Sequence, residues 1–121
     1  MPQNQQKRAI RVRKFNSQLG CCFYCGISMW DRALETPHTA LARLTRVEIS
    51  PNQSFSKPQR KLLRLRLCTL EHLKRKVDGG KNHHANLVVA CNRCNSQRHE
   101  MPWEEYLELV KKLFDTQSAP V

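Results

Sequence analysis

Glu71, His72, Asn86, Asn95 and His99 are the residues whose types and spacing fit proton transfer beside a hard cation. Hydrolysis of a phosphodiester needs a base for water, a cation over the phosphate and the departing oxygen, and a group that keeps the base in place. His72 is the natural base. Glu71, beside it, offers an oxygen to Mg²⁺ or a similar ion. Asn95 and His99 are four apart, so on a helix they share one face and form a pair of metal ligands. Asn86 opens a strand, where its amide is placed to bridge the preceding loop and fix the His72 side. Neighbours in a regular strand point to opposite faces, so Glu71 and His72 share a site only if the strand ends or bends there.

Two cysteine pairs, Cys22-Phe-Tyr-Cys25 and Cys91-Asn-Arg-Cys94, stand on either side of Glu71, His72 and Asn86, the second running directly into Asn95. Each pair sets two sulfurs on one side of a tight turn, and two such turns close a tetrahedron around Zn²⁺ with no position left open. The expected ion is therefore structural. Cys21 is an alternative to Cys22, which has the tighter spacing. Cys68 reads as a core or strand-face residue. Gly20 and Gly26 flank the first pair and permit the backbone turns it needs.

These side chains need elements to carry them. Leu63-Arg-Leu-Arg-Leu-Cys-Thr69 alternates apolar and polar residues and predicts a half-buried strand ending near His72. Leu87-Val-Val-Ala90 predicts a short buried strand. A polar loop joins them, with Asp78-Gly-Gly80 and Asn82-His-His84; His83 and His84 are expected at the surface, with phosphate in reach. A helix is expected over about Asn92 to Glu100. The last helix follows Pro102, with Trp103, Tyr106, Leu107, Val110, Leu113 and Phe114 on one stripe. Residues 31–62 read as an inserted excursion: a partly helical spacing over Ala33 to Val47, interrupted by Pro37, then loop chemistry from Ser50 to Pro58, with His38 at the surface. Residues 1–14 read as a basic arm, 15–116 as the domain and 117–121 as a tail.

The 121 residues suit one domain with a modest core, and the net charge is +11. The excess is spread over Lys7 to Lys14, Arg43 to Arg66 and Lys74 to Lys81, a field that attracts polyanions. Nucleic acid is the expected partner. No apolar run approaches the roughly 18 residues of a membrane span. The start of the chain is polar and lacks a secretory core. A cytoplasmic, reducing setting is expected, in which cysteines bind metal rather than form disulfides.

The order acidic-His, Gly-Gly, Asn-Leu, Cys-x-x-Cys-Asn resembles the HNH nuclease family, in its subgroup with a four-cysteine zinc. Here the residues are Cys22 and Cys25, Glu71-His72, Gly79-Gly80, Asn86-Leu87 and Cys91-x-x-Cys94-Asn95. The resemblance implies an α+β fold with a ββα-metal core, in which a two-stranded ribbon and a helix clamp a divalent ion. It implies that His72 is the general base, that Asn86 orients it or stiffens the loop, and that Glu71 and Asn95 bind the catalytic ion. His99 resembles the last metal-binding histidine of colicin-type members. Mg²⁺, Mn²⁺ and Ni²⁺ all suit oxygen and imidazole ligands. The chain departs from the family in having Glu71 where Asp is usual and in lacking the proline that often follows the acidic-His pair. Lys74, Arg75, Lys76 and Arg98 are the expected phosphate contacts, within a basic stretch running from Arg60 to Lys76. The expected activity is that of an endonuclease acting on DNA. The rival is a zinc module that binds nucleic acid without cutting it.

Overall fold

The structure is a computed structural model that describes residues 2–75, 79–81 and 83–118. Helices α1 (Pro2–Ser17), α2 (Pro37–Thr45) and α3 (Lys57–Leu65) precede strand β1 (Cys68–His72). A 3-10 turn (His84–Asn86) leads into β2 (Leu87–Cys91), then α4 (Asn92–Arg98) and α5 (Trp103–Ser118). The two strands form an antiparallel ribbon, with Cys68 opposite Cys91 and His72 opposite Leu87. This is a small α+β, ββα-type architecture, as the resemblance implies. No helix among the described residues is long and apolar enough to cross a membrane.

Several elements differ from the sequence reading. The expected N-terminal arm is helix α1, packed against both strands. Its anchors are long-range. The Gln18 side chain donates to the Val89 carbonyl (2.9 Å) and accepts from the Val89 N–H (3.0 Å), which caps the open edge of β2. Arg11 grips Asp31 through Nε (2.6 Å) and Nη2 (3.1 Å).

Pro37 starts α2 rather than interrupting it. Thr36 caps that helix by accepting from the Thr39 N–H, and proline suits the first turn. Likewise Ser56 and Gln59 form a capping box that starts α3 at Lys57, so the stretch read as loop is loop up to Ser56 and its last two residues, Lys57 and Pro58, open the helix. Once that helix is nucleated it takes Leu63 with it, and the strand begins only at Cys68. The excursion closes on itself around Trp30, Ala40, Leu41 and Leu63. At its base the Trp30 N–H bonds the Arg66 carbonyl (3.1 Å) and the Cys68 N–H bonds the Trp30 carbonyl (2.8 Å). On α5, Tyr106 and Val110 are buried as the stripe predicts, but Leu113 and Phe114 are exposed.

Asp31 gives a pH-dependent test of this packing. Burial pushes its carboxyl upward, but hydrogen bonds from Arg11 and the Ala33 N–H outweigh this and hold it below the ordinary 3.8. A depressed carboxyl stabilises the fold above its unfolded value and stops doing so as pH falls through the folded one. Arg11→Met strands a buried carboxylate and is expected to cost about 3 kcal/mol near neutral pH. Urea melts of both proteins check this, and the gap should narrow below about pH 4.

Candidate metal centre and catalytic cleft

The first knuckle is built by local backbone bonds. The Cys22 N–H bonds the Ile27 carbonyl (2.9 Å), and the Gly26 N–H bonds the Cys22 carbonyl (3.0 Å). Gly20 and Gly26 have φ of 72° and 73°, so both turns use the left-handed region the sequence reading anticipates. The Phe23 N–H bonds the Val89 carbonyl (3.1 Å) and docks the knuckle on the ribbon. The second knuckle is the junction of β2 and α4. The Sγ atoms of Cys22, Cys25, Cys91 and Cys94 lie within 4.8 Å of one another. Cys21 is outside the cluster, and Cys68 is buried in the core, its thiol pushed up to about 12 by burial and by Asp31.

Four sulfurs so placed are compatible with a metal ion such as zinc. Their electrostatics favour a cation. Cys25 is pushed far down by hydrogen bonds from Cys22, Cys91 and Cys94. Cys91 and Cys94 are pushed up by contacts within the same cluster. Cys25 and, less strongly, Cys22 are thus favoured as thiolates at the expense of Cys91 and Cys94. A divalent ion removes that conflict, because each thiolate then faces positive charge. Arg66 and Arg93 also lie near these sulfurs.

At the other end of the ribbon and of α4 is a cleft of about 310 Å³, lined by Leu70, Glu71, His72, Arg75, Asn95, Arg98 and His99. The conflict between neighbours in a strand is resolved because His72 is the last residue of β1. Arg98 turns the chain there. Its Nη1 donates to the His72 carbonyl (3.0 Å) and to the Tyr24 hydroxyl (3.0 Å), and Nη2 donates to the Leu73 carbonyl. Nε donates to the Met101 carbonyl at 2.9 Å.

Arg98 is therefore not the surface phosphate contact expected of it. It is 3% exposed and committed to the fold, and its Nη1 lies 3.3 Å from Glu71 Oε1. Burial pushes the Glu71 carboxyl upward, against the pull of Arg98, Tyr24 and His72. The other oxygen, Oε2, is buried without a hydrogen-bond partner. An orphaned carboxylate oxygen in a cleft with an amide and an imidazole is a donor set that fits a hard divalent ion.

Asn86 braces the loop. Its Oδ1 accepts from the Lys74 N–H (2.7 Å), and Nδ2 donates to the carbonyls of Lys74 (3.0 Å) and Lys81 (2.9 Å). Its own carbonyl accepts from the Leu73 N–H (2.8 Å), next to His72. The Lys74 side chain is exposed, and Arg75 lines the cleft with Glu100 3.9 Å away. Lys76 and Asp78 lie outside the described residues. His83 caps the 3-10 turn through Nδ1, which accepts from the Ala85 N–H, and both His83 and His84 are exposed.

His99 reaches the cleft by a different route from the one expected. Helix α4 stops at Arg98, and His99 follows it with φ 46° and ψ −109°. Asn95 and His99 therefore do not share a helix face. A left-handed φ on a histidine is strained, and here it accompanies a residue that lines the cleft while remaining exposed. Tyr24 was not anticipated. It lies inside the first knuckle, stacks edge-on with Tyr106 at 4.9 Å and is raised by burial and by Glu71. Through Arg98 it ties the cysteine cluster to the cleft.

Residues 58–101 match the family model of HNH endonucleases. The match starts within α3 and takes in the ribbon, the second knuckle, α4 and every residue lining the cleft. The HNH resemblance read from the motifs holds over this segment, and the four-cysteine cluster fits the zinc subgroup. Members of the HNH family act on nucleic acid, and the match over this segment points to a nuclease or nucleic-acid-binding function. No curated protein matches the chain, and no solved structure does.

Proposed function

We propose that the HNH segment is a metal-dependent endonuclease that hydrolyses phosphodiester bonds, with DNA as its substrate. The observation that carries this reading is the cleft, where Glu71, His72, Asn95 and His99 converge beside an orphaned carboxylate oxygen. In this reading His72 accepts a proton from a water molecule as its oxygen attacks phosphorus. Asn86 holds the loop that follows His72. Arg98 fixes the His72 backbone and one oxygen of Glu71. Glu71, Asn95 and His99 would hold a divalent ion such as Mg²⁺, Mn²⁺ or Ni²⁺, which when bound supplies positive charge for the phosphate and the departing 3′ oxygen. The Cys₄ cluster would hold Zn²⁺ as a staple. The field of a +11 chain, with Arg75 lining the cleft and Lys74 exposed two residues after His72, draws in the phosphate backbone.

One observation favours the rival, a module that binds nucleic acid without cutting it. Arg98 already pairs with Glu71, and that competes with a metal ion for the carboxylate. Nicking of supercoiled plasmid separates the two. The zinc-loaded protein is expected to nick when Mg²⁺ or Mn²⁺ is added and to leave the plasmid intact when neither is. Retarded plasmid with no nicks in Mg²⁺, Mn²⁺ or Ni²⁺ would establish the binding module instead.

A further inference from the structure

A second groove, of about 420 Å³, lies where α3 meets the start of β1 and α4. Its apolar floor includes Trp30, Phe55, Leu63 and Leu67, and its rim carries Arg32, Arg60, Arg64 and Asn92. Trp30 is buried and ties its indole N–H to the Leu63 carbonyl (2.7 Å), so the floor is rigid. Phe55 is half-buried, and its carbonyl accepts from Arg60 Nη1 (2.7 Å), which fixes one wall. Asn92 Nδ2 donates to the Arg64 carbonyl (3.1 Å) and joins α4 to α3.

The arginines of this chain fall into two kinds. Arg11, Arg43, Arg75 and Arg98 each lie within 4 Å of a carboxylate oxygen. Among the described residues the other eight, Arg8, Arg13, Arg32, Arg46, Arg60, Arg64, Arg66 and Arg93, show no carboxylate oxygen within that distance, and three of them, Arg32, Arg60 and Arg64, stand exposed together on the rim of this groove. Lys57 and Lys61 on α3 add to the same field. Unpaired cations crowded around an apolar slot repel one another, and a ligand with anionic groups around a flat apolar ring relieves both defects.

We infer that this groove takes an unpaired nucleotide of the nucleic acid bound at the cleft, its base on the apolar floor and its phosphates on Arg60 and Arg64. This rests on the reading that nucleic acid is the substrate. The spacing supports it. The groove touches Leu67 and Asn92, at the starts of β1 and α4, while the cleft touches His72 and His99, at their ends. The five residue steps from Leu67 to His72 at about 3.3 Å each give a separation of roughly 16–17 Å. At a rise of about 3.4 Å per nucleotide that is some four to five nucleotides of one strand. The protein should therefore prefer substrates with a single-stranded segment at that distance from the cut.

Fluorescence anisotropy with labelled 20-nucleotide single-stranded and duplex DNA tests this in the zinc-loaded chain, without divalent catalyst. The Arg60→Gln/Arg64→Gln double variant is expected to bind single strands at least 10-fold more weakly and duplex within 3-fold of wild type. Its salt slope on single strands should shrink by about 1.4, or 0.7 for each lost phosphate contact. Arg32→Gln, on the opposite rim, should act in the same direction. Lys111→Gln/Lys112→Gln removes equal charge elsewhere and should leave the single-strand preference intact. Equal losses on both DNAs, or none, would overturn the inference, as would no single-strand binding by the wild type. A wild type that binds with this preference but never nicks would sink the endonuclease reading and leave the groove standing.

Discussion

His72→Ala is expected to slow cleavage by about 10²- to 10⁴-fold, the range that removal of a general base produces. At the middle of that range the barrier rises by about 4 kcal/mol. The fold should survive, because what Arg98 grips at this position is the backbone carbonyl, and alanine retains it. The β1–β2 pairing of residue 72 with Leu87 is likewise a main-chain matter. Single-turnover cleavage of a labelled duplex in Mn²⁺ measures the rate, and anisotropy on the same duplex should show unchanged binding. A variant that cuts within 3-fold of wild type would remove His72 from the mechanism. Asn86 lies one step back. Its amide bridges Lys74 and Lys81, so in the proposed reaction its part is to brace the loop that follows His72.

The parts of the fold legible in the sequence are those whose signals are short-ranged. Cysteine pairs with two residues between them, the run from Leu87 to Ala90 and the stripe from Trp103 to Val110 each declare themselves within a turn or a strand. Helix α1 does not, because what orders it is distant: Asp31 for Arg11 and the Val89 backbone for Gln18. A basic, polar segment without these partners reads as an arm. At α3 the alternation Leu63-Arg-Leu65 competed with the Ser56–Gln59 capping box, and the box prevailed because it sets helical phase from upstream. The same limit appears in the cleft. Glu71, His72, Asn95 and His99 were named from type and order, and one cavity gathers all four. Arg98 looked like a surface cation, since a sequence does not show that a tyrosine 74 positions away and two carbonyls some 25 positions away converge on it. The backbone of His99 was equally hidden, because a left-handed φ on a histidine has no local sequence signal.

Cys94→Ser is expected to leave the chain without a folded state at 25 °C, and stripping the metal from the wild type should do the same. The reason lies in how the core is composed. Four of the ten buried residues of the main cluster are cysteines, and three of those, Cys22, Cys91 and Cys94, belong to the metal set. These sulfurs join α4 to the first knuckle, and Tyr106 of α5 and Val89 of the ribbon belong to the same cluster. A structural Zn²⁺ contributes on the order of 10–16 kcal/mol in small zinc domains. Whole domains are stable by only about 5–15 kcal/mol. A chain of this size with so few aliphatic side chains at its centre does not make up the difference. Zinc content by atomic absorption should be one ion per wild-type chain and none in the variant, and the far-ultraviolet circular dichroism of the variant should show no cooperative melting. Cys21→Ser is the control. Cys21 stands next to the cluster without joining it, so this variant should keep both its zinc and its transition. A metal-free wild type that still melts cooperatively would mean that helix packing, rather than the cysteine cluster, holds the cleft in shape.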